Sequence, residues 1–300
     1  MIVKILRGQS STLPLTEPML LLVAIFWGTS YGFTKEALAY SSVLIFIILR
    51  FSMTFLVMLP VVIKDFKQGF NKDWKVAVPT GFILSAIFFC EVFGVSQTSA
   101  SNAAFLISLS VIFTTFLEII INKRKVSPLL WMLSIGSVIG VFLLTFQPNK
   151  TYTLNTGDYF ILGAAFLRAI MVTTTKRLVE GKSITTSTLT SLQSLTVATV
   201  TFLIASIYLP SEQLVLPQQP IFWSILIYLV LCCTLFAFFA QNYAVRRTSP
   251  TRVSLLMGSE PLFGALFAMF WLQESLSVVQ LLGGLIIMFC VMMTSIKVKS

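Results

Sequence analysis

The sequence contains no histidine, so it lacks the commonest protein metal ligand and the side chain that most readily exchanges protons near neutral pH. Charged residues are also scarce, at 11% of 300 residues, against about 25% in soluble domains. Hydrophobic residues make up 56% of the chain, and the mean hydropathy is +0.91. The lipid bilayer is therefore expected to be its main solvent.

The four cysteines exclude some kinds of site. Cys90, Cys232, Cys233 and Cys290 all lie in apolar runs, and no CxxC pair occurs. Neither a zinc site nor a disulfide framework is therefore expected.

The GxxxxGK[ST] motif of ATP-binding proteins is also missing. We predict a protein without cofactors or resident metal that does not use ATP directly.

Intramembrane proteases need paired Asp, a Ser–His pair or metal-binding His inside their spans. This sequence has no His, and it has no Asp within a confident span. It is therefore not expected to be an enzyme.

The chain is basic, with 21 Lys and Arg against 11 Asp and Glu. Nucleic-acid-binding proteins share such a balance, but here the cations stand in short clusters between apolar runs. Membrane topology explains that pattern better. We expect bilayer lipid and a small-molecule substrate as partners, and no nucleic acid.

Long apolar runs recur along the whole chain, and a helix needs about 20 apolar residues to cross a bilayer. The sequence predicts an all-α integral membrane protein with ten transmembrane helices and short connections. The predicted spans are 18–38, 43–63, 76–96, 100–121, 129–146, 157–175, 184–208, 221–243, 250–272 and 276–296.

The distribution of loop charges fits this count. If the N-terminus is cytoplasmic, 17 of the 21 cations fall in cytoplasmic segments, and only Lys35 and Lys150 fall outside. Nine or eleven spans would destroy this alternation. We expect a multi-pass protein of the cytoplasmic (inner or plasma) membrane with both termini in the cytoplasm.

The two halves of the chain resemble each other at an offset of 150 residues. Thr98-Ser99 then falls on Thr248-Ser249, and Ser127 falls on Ser277. The predicted repeats cover residues 18–146 and 157–296, with five helices each. Because five is odd, the repeats have opposite orientations, which is typical of transporters with a binding site near the midplane.

Several short motifs occur in a characteristic order. They are Trp27-Gly28-Thr29-Ser30, Leu49-Arg50-Phe51, Gln241-Asn242-Tyr243-Ala244, Ser249-Pro250 and Glu260-Pro261-Leu262. In this order and spacing the sequence resembles the EamA family of the drug/metabolite transporter superfamily, over approximately residues 18–296. Three positions depart from the pattern of the repeat, namely Val111, Arg124 and Cys290.

This resemblance implies a ten-helix inverted-repeat fold with both termini cytoplasmic. It also implies a central cavity lined mainly by the first four helices of each half. Most members of the family export amino acids, related metabolites or drugs, and some take up nucleotide sugars or other metabolites.

Charged residues inside spans are costly and usually face a cavity or a partner. From their depths we expect Arg50 to pair with Glu91, and Arg168 to pair with Glu260 near the bilayer centre. Each pair either only neutralises buried charge or binds substrate, since a carboxylate without a counter-charge in apolar surroundings can hold a proton or a cation. Glu118, beside a basic cluster, is expected to be a solvated interface ion.

Further candidates for the cavity are uncharged. Packing against lipid or protein, or hydrogen bonding between helices, is an alternative role for each of them. The aromatic candidates are Trp27, Tyr31, Phe93 and Tyr243, and the polar candidates are Asn102, Ser108, Gln193 and Gln241.

The leading hypothesis is a secondary transporter, most simply an exporter of small metabolites such as amino acids, that works by alternating access and uses carboxylates for any proton coupling. An uptake permease or facilitator and a non-transporting receptor or scaffold are the alternatives. A monomer is expected, and Gly136-x-x-x-Gly140 in the fifth predicted helix offers a surface for a homodimer.

Overall fold

The computed structural model describes residues 15–123, 125–146, 154–208, 215–271 and 277–297. Throughout these ranges the regular structure is helical, with no strand. We number the α-helices α1 (Thr16–Ala37), α2 (Val43–Lys67), α3 (Ala77–Gln97), α4 (Ala100–Ser108), α5 (Ser110–Asn122), α6 (Pro128–Thr145), α7 (Thr156–Val179), α8 (Thr186–Tyr208), α9 (Pro220–Tyr228), α10 (Ala237–Val245), α11 (Pro250–Met257), α12 (Glu260–Trp271) and α13 (Val278–Lys297).

Two pairs of these helices are continuous or nearly so. A π-helical segment, Leu229–Phe236, joins α9 to α10, and together they form one long span, Pro220–Val245. Only Leu109 separates α4 from α5, so this pair also counts as one span, Asn102–Asn122. A 3-10 turn, Trp74–Val76, precedes α3.

Within the described ranges, eight helical stretches are long and apolar enough to cross a membrane. The all-helical fold is thereby confirmed, although ten spans were predicted. The two predicted spans outside this set are α1, which carries Glu17, Lys35 and Glu36 near its ends, and the 250–272 segment. The latter is divided into α11 and α12 by a turn at Gly258 and Ser259, so neither part reaches a full span.

Serine side chains begin helices at matching places in the two halves. Ser99 accepts a hydrogen bond from the backbone N–H three residues later, and Ser249 does the same. Ser127 and Ser277 form a second such pair. These caps satisfy backbone donors that the first turn of a helix leaves free. Residues that match at an offset of 150 therefore perform the same structural task.

The core lies between the two halves of the chain. The helix α2 packs against α8, and α6 packs against α13. The helices of the second half that contact α1 include α10 and α12, and those of the first half that contact α7 include α3 and α5.

The helices α1 and α12 approach each other closely at Gly28. A Cβ atom there would lie 2.6 Å from the carbonyl oxygen of Glu260 and 2.7 Å from the backbone nitrogen of Gly264. Because the two backbones are in contact, only glycine fits. This contact places Glu260 beside the neighbouring side chains of α1.

We expect Gly28→Ala to destabilise the protein by about 1–3 kcal/mol, since one methyl group must push two backbones apart. The matched control is Gly32→Ala, one turn further along the same helix, where a Cβ atom would meet nothing within 4 Å. Alanine forms helix more readily than glycine by about 1 kcal/mol, so the control should be neutral or stabilising. Thermal unfolding in detergent, followed by circular dichroism, measures both. Equal effects of the two variants would contradict the close approach.

Candidate functional site

Arg168 contacts two carboxylate side chains, and the three residues come from three different helices. Its Nη1 atom donates a hydrogen bond of 3.1 Å to Glu260 Oε1, and its Nε atom lies 3.5 Å from Glu91 Oε2. Glu91 belongs to α3, Arg168 to α7, and Glu260 begins α12. We call these three residues the charge cluster. It joins one helix of the first half to two helices of the second half.

The charge cluster is buried and its charges do not balance. The side chain of Glu260 is 2% exposed, that of Glu91 12% and that of Arg168 15%. Two carboxylates and one guanidinium leave one net negative charge when all three are ionised. Within the described chain, Glu91 Oε2 and Glu260 Oε2 make no hydrogen bond. An unbalanced buried charge with an acceptor atom that has no partner, as Glu260 Oε2 does within the described chain, favours the binding of a cation or a proton.

Two aromatic side chains of α1 hold the cluster in place. The guanidinium carbon of Arg168 lies 4.3 Å from the centre of the Trp27 ring, at a distance typical of a cation–π contact. The hydroxyl of Tyr31 donates a hydrogen bond of 3.1 Å to Glu260 Oε1. Trp27 is fixed in turn, because its Nε1 atom donates to the carbonyl of Cys233 at 2.8 Å.

The carbonyl of Cys233 lies in the π-helical segment Leu229–Phe236. Such segments change the hydrogen-bond register of a helix and are frequent at functional sites. Here the π-helical segment supplies an acceptor for Trp27 and thereby fixes the aromatic ring over which Arg168 lies.

A small cavity adjoins the charge cluster, and Arg168 and Glu260 form part of its wall. Other polar groups on the wall come from Ser110, Gln241 and Ser254, while the apolar part includes Ile87, Met171 and Phe238. The cavity therefore combines a charged end with an apolar chamber.

The structure corrects one predicted ion pair and contains the other. Arg168 and Glu260 pair as expected. The predicted Arg50–Glu91 pair is wrong, because Glu91 contacts Arg168 instead. Arg50 donates from its Nε atom to Thr234 Oγ1 at 2.7 Å. The direction in which each helix faces decides which side chains meet, and depth along the helix alone does not indicate it.

The expectation for Glu118 is also wrong. The residue is 3% exposed, and Glu118 Oε2 accepts hydrogen bonds from the backbone nitrogen and the hydroxyl of Thr251, at 2.9 and 2.6 Å. Glu118 therefore caps the N-terminus of α11, where a negative charge is favourable. The cap joins α5 of the first half to the second half.

Two of the uncharged polar candidates lie in or near the core of the molecule. Gln241 is on the cavity wall. Gln193 is fully buried, donates to Thr80 Oγ1 at 2.9 Å and accepts from Asn242 Nδ2 at 2.8 Å. This hydrogen-bonded group links α3, α8 and α10.

The remaining four candidates are not part of the cavity wall. The ring of Phe93 packs beside Phe160, which is 39% exposed. Tyr243 stacks near Phe239 and lies under Arg247. Two others have partners within their own helix: the hydroxyl of Ser108 donates to the carbonyl of Phe105, and the backbone nitrogen of Asn102 is held by the Ser99 cap.

Comparisons with known proteins agree with this architecture. The family model described as the EamA-like transporter family matches the chain twice, over residues 15–146 and 155–296. Two proteins of Archaeoglobus fulgidus, each described as an uncharacterized transporter, are 26% and 24% identical to the chain over 295 residues. The first alignment covers 93% of this chain and 85% of the relative. The second covers 94% of this chain and 98% of the relative.

A solved crystal structure is similar in fold, with a TM-score of 0.78. The match covers 95% of this chain and 97% of the other, at 13% sequence identity. At that identity the similarity concerns the fold alone.

Proposed function

Because the chain belongs to the EamA-like transporter family, we propose that this multi-pass membrane transporter exports small metabolites such as amino acids by alternating access. The observation that carries the proposal is the buried charge cluster with its net negative charge, which borders a cavity between the two halves. A substrate ammonium group would restore neutrality there.

We propose that α1 and the divided segment α11–α12 complete ten spans in two inverted five-helix repeats. The double match of one family model supports this arrangement. So do the serine caps that repeat after 150 residues. The packing also fits, because the contacts of α1 with α10 and α12 correspond to those of α7 with α3 and α5 when the halves are exchanged.

The proposed orientation places both termini in the cytoplasm and the protein in the cytoplasmic membrane. The 17 cations on one side of the alternating loops, against two on the other, support it. On this orientation, the loops before α3 and α8 lie at the cytoplasmic end.

Hydrogen bonds join these two loops across the halves. The carboxylate of Asp73 accepts from the backbone nitrogen of Ser183 at 2.8 Å, and the side-chain oxygen of Asn71 accepts from that of Thr185 at 2.9 Å. We assign these contacts to the closure of the cytoplasmic end during alternating access.

The same charge count supports proton coupling. The charge cluster is neutral when it holds either one proton or one substrate cation, so each disfavours the binding of the other. Alternation between the two would exchange an outward-moving substrate for an inward-moving proton.

We propose that the working unit is a monomer. Gly140 packs within the chain, since a Cβ atom there would lie 2.9 Å from the carbonyl oxygen of Gly283 in α13. Gly136 faces Cys290, which also belongs to α13. The small-residue surface that would serve a homodimer is thus already covered.

The test uses purified protein in liposomes loaded with a mixture of amino acids and short-chain amines. We expect protein-dependent efflux of a subset of the mixture, measured by mass spectrometry, and faster efflux when the outside is more acidic than the inside. Protein-free liposomes are the control. Well-folded protein that moves none of the compounds would support a receptor or scaffold instead, and efflux insensitive to the pH gradient would remove proton coupling.

A further inference from the structure

A second buried guanidinium lies in the core without a carboxylate in direct contact. Arg50 is 3% exposed, and no carboxylate in the described chain lies within 4 Å of it. Its one hydrogen bond runs from Nε to Thr234 Oγ1, so both terminal nitrogens are without a hydrogen bond among the described residues. A guanidinium remains charged in proteins, and burying it without a counter-ion is costly.

The surroundings of Arg50 hold it in one direction. Its guanidinium carbon lies 5.1 Å from the centre of the Phe88 ring and 6.0 Å from that of Phe46. Thr234 belongs to the π-helical segment, and its hydroxyl donates to the carbonyl of Leu229, five residues earlier. The Thr234 oxygen is thereby oriented to accept from Arg50. The structure thus holds Nε in place, while the two terminal nitrogens of the guanidinium have no hydrogen bond among the described residues.

Three aromatic rings lie between Arg50 and the charge cluster. The ring of Phe88 contacts that of Phe238 with centres 5.8 Å apart, and Phe238 contacts Trp27 at 5.6 Å. Arg50 lies against the first ring of this series, and Arg168 lies against the last. Phe238 is also part of the cavity wall. We call Phe88, Phe238 and Trp27 the aromatic partition.

The charges on the two sides of the partition are opposite. Arg50 carries one positive charge, and the charge cluster carries one net negative charge. A zwitterion complements both charges, because its ammonium group can bind the charge cluster and its carboxylate can bind the guanidinium of Arg50. An amine without a carboxylate would satisfy only the cluster.

We propose that Arg50 binds the carboxylate of a zwitterionic substrate and so makes the transporter select amino acids over the corresponding amines. Rotation of Phe88 and Phe238 joins Arg50 to the cavity, and Glu260 and Glu91 bind the ammonium group at the other end. This inference rests on the proposed transport function and adds to it a residue that distinguishes between substrates.

The test compares L-leucine with 3-methylbutylamine, which has the same side chain and ammonium group but no carboxylate. Wild-type protein and Arg50→Met are placed in liposomes loaded with both compounds. We expect Arg50→Met to lower leucine efflux by about 10- to 100-fold, the range expected for the loss of a hydrogen-bonded charged group, and to leave amine efflux within about twofold. Arg247→Met, which removes an exposed arginine that also lies over an aromatic ring, should change neither rate.

A second variant covers the case in which Arg50→Met fails to fold. Thr234→Val keeps the charge of Arg50 but removes the acceptor that orients it. It should lower leucine efflux selectively and by less than Arg50→Met. Circular dichroism and size-exclusion chromatography verify the fold of each variant.

Equal loss of both compounds, or loss of neither, in a folded Arg50 variant would overturn the inference while leaving the transport function in place. If the wild type moves neither compound, the transport function fails for these substrates. Tryptophan fluorescence of detergent-solubilised wild type and variants, titrated with leucine and with the amine, then decides the role of Arg50. Selective loss of leucine binding supports it, and the same affinities in wild type and variant overturn it.

Discussion

Glu260→Gln is expected to lower the efflux of leucine from liposomes by about a hundredfold, because truncation of a buried charge partner typically costs about 2–5 kcal/mol of binding. The substitution keeps the shape of the side chain. It leaves Arg168 and Glu91 as a neutral pair, so the fold is retained while the net negative charge disappears. The site then no longer attracts an ammonium group or a proton.

The matched control for this experiment is Glu36→Gln, the same chemical change at an exposed position of α1. It should leave efflux and its pH dependence unchanged. The pH dependence of Glu260→Gln should be weaker than that of the wild type, because the exchangeable proton is lost. Unchanged efflux and unchanged pH dependence in a folded Glu260→Gln protein would remove this residue from the mechanism.

Arg168→Met is expected to lower stability more than any other single change in the site. It leaves Glu91 and Glu260 buried together without a counter-charge, and breaking a buried ion pair in this way costs about 3–5 kcal/mol. At about 2–4 °C per kcal/mol, the melting temperature in detergent should fall by roughly 10 °C. Circular dichroism at neutral pH measures the change.

Two further proteins identify the cause of that loss. Arg177→Met removes an exposed arginine from the same helix and should have little effect. The triple variant Arg168→Met/Glu91→Gln/Glu260→Gln has no charge left in the cluster and should recover most of the lost stability. A triple variant as unstable as Arg168→Met would show that packing of the long side chain, rather than charge balance, sets the stability.

The sequence alone predicted much of the fold, because bilayer-spanning helices leave a strong signal in apolar run length. It also placed Arg168 and Glu260 at a similar depth, and they do form an ion pair. Depth alone, however, does not determine which side chains meet. The partner of Glu91 depends on the rotation of α3 about its axis, and an apolar span with few polar residues does not indicate that rotation.

Other features had no local signal at all. Nothing in the run Leu229–Phe236 distinguishes a π-helix from an ordinary helix, so the bond from Trp27 to Cys233 could not be expected. Glu118 follows an apolar run and precedes a basic cluster, which is typical of an interface ion. Its burial arises because Thr251 of the other half lies against it, a contact between residues that are far apart in sequence.

The most direct measurement of the central claim is counterflow in liposomes that contain the purified protein. The liposomes are preloaded with unlabelled leucine and diluted into a trace of labelled leucine. An alternating-access carrier exchanges one for the other, so labelled leucine should transiently accumulate inside above its outside concentration, and Glu260→Gln should abolish the overshoot. Protein-dependent entry that rises only to equal concentrations, or an overshoot of wild-type size in Glu260→Gln, would contradict the account.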